Sequence, residues 1–415
     1  MVIPELIKIR QRFNDKHITD IEGTVRNEIK SSGISIGKGK SIAIAVGSRG
    51  IANIDRVAKA TVDTVKEMGG NPFIVPAMGS HGGATAEGQK EVLAGYGITE
   101  ETMDAPIKSS MQVVELPQGD QPNKVYMDKY AYESDGVIII NRIKVHTDFH
   151  GPTESGLMKI CVIGLGKHKQ ALEIHRYGVP GLKNLIPGTA RQVIKHGKII
   201  LGIGLVENAY DKTMEIRALK PSEIEQEEMK LLEINRRNMP KLPVDKLDVL
   251  IVDEMGKNVS GSGMDTNIIG RMKIINEKEP ESPRITNIIT IGITEESHGN
   301  AAGMGLADFI TKKLFQKVDL KATYENIVTS TFNERGKIPI IAETDRQAVE
   351  FALRTCGPID IENARIIRIK NTLHLSEMYV SKAVLEEIRD KENIEVIGEY
   401  RDMFDGGNEL IGFNS

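Results

Sequence analysis

Residues 41–85 read SIAIAVGSRGIANIDRVAKATVDTVKEMGGNPFIVPAMGSHGGAT, and this stretch decides the fold. Its opening, SIAIAVGSR, is a short apolar strand that runs into a Gly-Ser-Arg turn. Ile54, Val57, Ala58, Val62, Val65 and Met68 then recur at helical spacing, and Gly69 and Gly70 supply a C-cap. A second strand, PFIVPA, ends in the loop GSHGGAT. Strand, helix, strand, with polar residues gathered just after the strands' carboxyl ends, is the pattern of an open α/β sheet, and that is where such sheets place their ligands.

The same signals extend outward. GVIIINRIKV at 136–145 is a nearly continuous apolar strand that leads directly into His146, and KIILGIGLVENAY at 198–210 is another. A charged helix over about 221–238 is broken by Pro240 and Pro243, and the apolar run DVLIVDEMG begins at once. The boundary is therefore expected near Lys241, with residues 1–241 forming one α/β domain and 242–415 a second. The second half carries the strand NIITIGI, a glycine- and alanine-rich helix from Asn300 to about Leu314, a helix at about 345–355 and the strand ARIIRIK. Two α/β domains with the active site in the cleft between them are the expected architecture, the last residues being free to pack back on the first domain.

A chain of 415 residues exceeds the size at which one core usually keeps growing. With 40% hydrophobic and 27% charged residues, the composition is that of an ordinary soluble protein. A net charge of −4 without a basic run argues against nucleic acid as a partner. No stretch is long and apolar enough for a membrane span, and MVIPELIKIRQRF lacks the h-region of a signal peptide, so a cytoplasmic protein is expected. Only Cys161 and Cys356 are present, which leaves no thiolate framework for a metal. Soft ligands would come from outside the chain, for instance from a cofactor.

Four of the nine histidines, His146, His150, His168 and His175, fall within thirty residues, and Lys159 stands among them. Imidazole exchanges protons near neutral pH and is the commonest metal ligand, so the cluster suggests acid–base or metal chemistry. HTDFH at 146–150 has an i, i+4 spacing, but it follows a strand and precedes Gly151-Pro152, which is poor helix sequence. In an extended segment both rings would share one face. His81 in GSHGGAT and Arg49 in GSRGI each follow a strand, where glycines let a backbone approach a ligand and a guanidinium fork suits a carboxylate or phosphate. Taken singly, a surface turn and an ordinary salt bridge account for them too. Gly164 and Gly166, followed by Lys167, His168 and Lys169, suggest a phosphate cradle or, equally, a tight turn with solvated lysines. No G-x-G-x-x-G with a following acidic residue supports a free nicotinamide dinucleotide.

Taken together, these positions resemble the nickel-pincer lactate racemase family. That family has an arginine after an early strand, a Gly-Thr-His loop, a His-x-x-x-His pair, a Ser-Gly-Gly-x-Lys segment and a distant histidine. Here Arg49, Gly79-Ser80-His81, His146 with His150, Ser155-Gly156-Leu157-Met158-Lys159 and His175, 16 residues beyond the lysine, follow in the same order. The resemblance implies an isomerase, a racemase or epimerase of 2-hydroxy acids. Its cofactor is a pyridinium thioamide/thiocarboxylate mononucleotide that binds nickel through two sulfurs and one carbon. Lys159 would hold it covalently through the thioamide, with Gly156, Gly164 and Gly166 beside it, and His175 would be the fourth nickel ligand. His81 and His150 would be the acid–base pair, and Arg49 would hold the substrate carboxylate. Lys273 would match a substrate-contacting lysine of the second domain.

Departures gather on the substrate side. Val46 stands where the family often has Asp, Gly82 where it has Arg, and Gly270 where it has a glutamine. A 2-hydroxy acid other than lactate is therefore expected, with cofactor synthesis proteins as partners. The alternatives are a metal-dependent lyase or hydrolase with direct histidine ligation, and a non-catalytic protein that binds the cofactor.

Overall fold

The computed structural model describes residues 2–48 and 50–414. The chain folds into two compact units, Asn14–Met239 and a second made of Pro240–Ser415 together with Met1–Phe13. The strand β1 (Leu6–Gln11) thus belongs to the second unit, where the sequence reading had placed residues 1–241 in one piece.

In the unit Asn14–Met239 the strands are β2 (Ser41–Val46), β3 (Asn71–Pro76), the hairpin β4 (Val113–Leu116) with β5 (Val125–Asp128), then β6 (Gly136–Arg142), β7 (Ile199–Glu207) and β8 (Thr213–Leu219). The main sheet runs β3-β2-β6-β7-β8, parallel as far as β7 and closed by antiparallel β8. β2 is apolar from Ile42 onward because both of its faces are covered, and Ala43, Ile44, Ala45 and Val46 are all fully buried. The helix Ile54–Glu67 lays Val57, Ala58, Val62 and Val65 into the core shared with Ile44, Ile74, Ile138 and Leu201. Each such fully buried aliphatic side chain contributes about 1.5–3 kcal/mol.

β6 ends at Arg142, three residues short of the apolar run expected at 136–145. Ile143 donates its N–H to the Leu205 carbonyl, and Lys144 then leaves the sheet to pair with Ser155 through two antiparallel hydrogen bonds of 2.9 and 3.2 Å. That bridge closes a loop whose interior carries His146, His150 and Glu154.

The second unit contains β9 (Lys246–Met255), β10 (Arg284–Ile293), β11 (Phe309–Thr311), β12 (Ile340–Ala342), β13 (Ile366–Ile369), β14 (Glu377–Ser381) and β15 (Ile394–Val396). Its eight strands run β12-β11-β10-β9-β13-β14-β1-β15, with parallel pairs from β12 to β13 and antiparallel pairs beyond. β1 buries Leu6, Ile7 and Ile9 here, and the last residues close over it: Leu6 donates to Arg401 at 3.0 Å, and the Tyr379 hydroxyl donates to the Phe413 carbonyl. The helix expected from Asn300 to about Leu314 is absent. Gly299 and Gly303 take φ of +76° and +106°, the turn Met304–Leu306 is 3₁₀, and β11 follows before the short helix Lys312–Phe315. Glycines at positive φ break the helical run that the alanines around them favour. No helix among the described residues is long and apolar enough to cross a membrane.

Candidate functional site

The loops that follow β2, β3 and β6 lie side by side, because these strands are parallel neighbours with Val46 in register with both Pro76 and Ile140. Ser48 and His81 meet there, with Ser48 Oγ 2.5 Å from His81 Nδ1. The backbone of the His81 loop is fastened from beneath. Gln89 donates through Nε2 to the carbonyls of Gly79 at 2.8 Å and His81 at 3.3 Å. Gln89 is held in turn by Lys167, whose ammonium donates to Gln89 Oε1 at 3.0 Å and to the Pro76 carbonyl and pairs with Asp128 Oδ2 at 3.2 Å. Both members of that pair are fully buried; burial drives Asp128 upward and Lys167 downward, each against the attraction of its partner. Lys167 is thus an internal clamp rather than the anion-binding cation that its place after Gly166 suggested.

Glu154 organises the next loop. Its fully buried carboxylate accepts the backbone N–H of His146 at 2.6 Å and that of Gly151 at 3.1 Å, pairs with Arg236, and takes a longer contact of 3.4 Å from His150 Nδ1. Burial pushes its acidity down, but the hydrogen bonds from His150, His146 and Gly151 outweigh it and hold the carboxyl below its ordinary range. His150 is half-exposed, and Nδ1 is the ring nitrogen it turns toward the carboxylate. His146 is buried, with its ring 4.4 Å from that of Phe149. Its Nδ1 accepts the N–H of Asp148 at 3.0 Å, and its Nε2 lies in hydrogen-bond contact with Lys159 Nζ. HTDFH is a loop in which the two histidines reach one carboxylate, His146 by backbone and His150 by ring.

Lys159 ends the short helix Leu157–Lys159, which continues as a π-helical turn, Ile160–Gly164, and then the helix Lys167–His175. Its start is fixed by Glu228, which accepts the Met158 N–H at 2.8 Å from the helix Ile224–Asn238. Complete burial pushes Glu228 up to about 8, so it is largely protonated at neutral pH. Gly156 faces that carboxyl: a methyl there would stand 2.5 Å from Glu228 Cδ. Gly164 and Gly166 are buried, and added methyls would meet the Ala77 carbonyl at 2.7 Å and Gln170 Cβ at 2.2 Å. The Gly166 N–H is also spent on the Val162 carbonyl, so in this structure these glycines serve close packing, as in the tight-turn reading that stood beside the phosphate cradle. His175 closes its helix, part-buried, while His168 Nδ1 is buried without a hydrogen-bond partner.

In the other unit, Lys273 is partly buried with φ +46° and donates Nζ to the Gly305 carbonyl at 2.8 Å. Burial first, then Arg271, lowers its basicity. It lines a concavity of about 380 Å³ with Arg271, Glu279 and Arg284. Arg49 lies outside the described residues. Cys161 is wholly buried, and burial followed by Glu228 drives its thiol far upward, away from metal-binding thiolate chemistry.

Glu154, Glu228 and the Lys167–Gln89 clamp were missed in the sequence reading. Glu228 had a signal, since it stands at helical spacing with Ile224, Leu231 and Leu232 on the buried face. Glu154 had none beyond its place between two candidate groups. Among the described residues no three His, Cys, Asp or Glu side chains gather as a metal site. A metal placed here would take most of its donors from a bound group.

No protein-family model matches the chain, and no curated protein matches it in sequence. In fold it is similar to the lactate racemase apoprotein from Thermoanaerobacterium thermosaccharolyticum, with a TM-score of 0.54 and 13% identity over 89% of this chain and 98% of that one. The likeness is one of α/β architecture, and it spans nearly the whole of both chains.

Proposed function

We propose that this chain is an isomerase, a racemase or epimerase of a 2-hydroxy acid other than lactate, that carries a nickel-pincer nucleotide on Lys159. One observation carries the reading: acid–base imidazoles, His81 and His150, and a lysine amine follow β3 and β6, the parallel strands on either side of β2, in a chain whose fold is similar to a lactate racemase apoprotein. When bound, the nucleotide supplies the carbon that takes up hydride and the sulfur donors for nickel. Lys159 tethers it, and His175 is the protein's ligand to the metal.

The remaining work falls to the chain. His150, its Nδ1 on Glu154, presents Nε2 as a base toward a substrate hydroxyl, and His81, its Nδ1 on Ser48, presents Nε2 as the second acid–base group. Inversion of a carbon needs one such group on each face. Arg49 is assigned the substrate carboxylate and Lys273 a substrate contact, both from the family resemblance. Val46, Gly82 and Gly270 replace polar residues of that family, which supports a substrate other than lactate.

The test is co-expression with the cofactor synthesis proteins and nickel, then intact-mass and peptide mapping, and chiral chromatography of a panel of 2-hydroxy acids. Added mass on Lys159 together with inversion of one of the acids is expected. Robust turnover by unmodified, nickel-free protein would sink the reading.

A further inference from the structure

The eight-stranded sheet ends at β12, whose one paired neighbour among the described strands is β11. Ile340 donates its N–H inward, to the Asp308 carbonyl at 3.2 Å, so the alternation of a strand turns the Ile341 N–H and the Pro339 carbonyl outward. Among the described residues no group takes that N–H. Along this open edge Ile338, Ile340 and Ile341 are 43%, 58% and 37% exposed, three large apolar side chains within four residues. An edge this apolar invites another strand. Pro339 and Lys337 are residues that ordinarily guard an edge, so the strand that fits must need no N–H from Pro339 and must bring a carboxylate to Lys337.

We infer that this edge binds the same edge of a second copy of the chain, β12 against β12 in antiparallel sense about a twofold axis at Ile340. The sequence KIPIIAE at 337–343 is complementary to itself in that register. Lys337 lies three residues before Ile340 and Glu343 three after it, so at each end a lysine of one copy faces a glutamate of the other. Both side chains are exposed, and their bonds within the chain, Lys337 to Glu334 at 2.6 Å and Glu343 to Lys312 at 2.8 Å, leave each room for a second partner. The Ile341 N–H of each copy meets the Pro339 carbonyl of the other, which gives a pair of ladder hydrogen bonds that need no N–H from proline. Ile340 packs on its own counterpart at the axis. Sliding the axis to Ile341 would set Pro339 against Glu343, whose N–H is already given to Gln347 at 2.7 Å, and would lose both charge pairs. A twofold contact closes on itself, so a dimer forms and not a fibre. The pairing is short, which places it among the weaker interfaces, below about 1,200 Å².

Sedimentation velocity of the isolated full chain, from about 1 μM to about 500 μM, tests this first. A reversible monomer–dimer equilibrium is expected, and a monomer throughout, or open-ended polymers, would overturn the inference. Ile340→Lys sets two ammonium groups at the axis in place of an apolar pair and should weaken the dimer at least about tenfold. Thermal melts should not move, since the side chain it replaces is mostly exposed. Lys337→Glu should weaken the dimer too, and Lys337→Glu with Glu343→Lys should restore it, which an apolar patch without register would not do. Cysteines read the register. In Ile340→Cys the two Cα atoms at the axis stand about 4.5 Å apart, within disulfide reach, whereas in Ile338→Cys they stand about 13 Å apart. The wild-type chain, with Cys161 buried and Cys356 half-buried, is the blank. Mild oxidation should join the first variant as a covalent dimer and leave the second unjoined. Equal joining of both, joining of neither, or a dimer that survives Ile340→Lys undiminished would each overturn the pairing.

Discussion

At Glu154 one buried carboxylate sets the positions of two histidines, and the consequences can be measured at that residue. Its folded pKa lies below the ordinary carboxyl range, because burial, which alone would raise it, is outweighed by the bonds from His150, His146 and Gly151. Its contribution is therefore present above the unfolded value of about 4.3 and is lost as pH falls through the lower folded value. Glu154→Gln should cost about 2–3 kcal/mol at pH 7 and should flatten the acid limb of stability below about pH 4, as urea melts across pH 3–7 will show. The proposed roles separate by metal content. His81→Ala and His150→Ala should keep nickel and lose about 10²–10⁴-fold in turnover of loaded protein, whereas His175→Ala should lose nickel, by metal analysis. The histidines were legible because imidazoles after strand ends are a chemical signal. Their partners were not, because a carboxylate near the end of a loop reveals its burial only once Lys144 and Ser155 have closed that loop.

Among the elements, the short helix bearing Lys159 depends on what sits beneath its first residue. Gly156→Ala would drive a methyl to 2.5 Å from Glu228 Cδ, within a core that cannot give way, and should destabilise the unit Asn14–Met239 by about 2–4 kcal/mol. Gly151→Ala is the comparison: its added methyl would meet only the Thr153 carbonyl at 3.5 Å, and denaturant midpoints should barely move. Apolar periodicity located β2, β3, β6, β7, β9, β10 and β13 and the helices Ile54–Glu67, Ile224–Asn238 and Asp345–Arg354. It failed where glycines decide conformation rather than side chains, at Asn300–Leu314, and where a strand leaves its sheet while still apolar, after Arg142. β1 escaped because six residues interrupted by Lys8 and Arg10 show their partner only when β14 is in place.

For the whole molecule, Glu228 links folding to pH in the opposite sense from Glu154. Its folded value of about 8 exceeds the unfolded value of 4.5, so the native state keeps a proton that the unfolded chain releases. Stability should decline as pH rises across that window, by a few kcal/mol in all, on the order of 1.4 per pH unit. Glu228→Gln should remove the slope in thermal melts between pH 5 and 9 and be the more stable protein at the alkaline end. The place of β1 has a consequence for how the protein is made. Leu6 pairs with Ser381, so this strand must wait for a partner made 381 − 6 = 375 residues later. At about 5–20 residues per second a ribosome needs roughly twenty seconds to more than a minute to reach it. Meanwhile Asn14–Met239 can fold whole behind the waiting segment, which trails as a loose apolar tether that chaperones or proteases reach first. The nascent chain is therefore most vulnerable at this strand until β14 emerges.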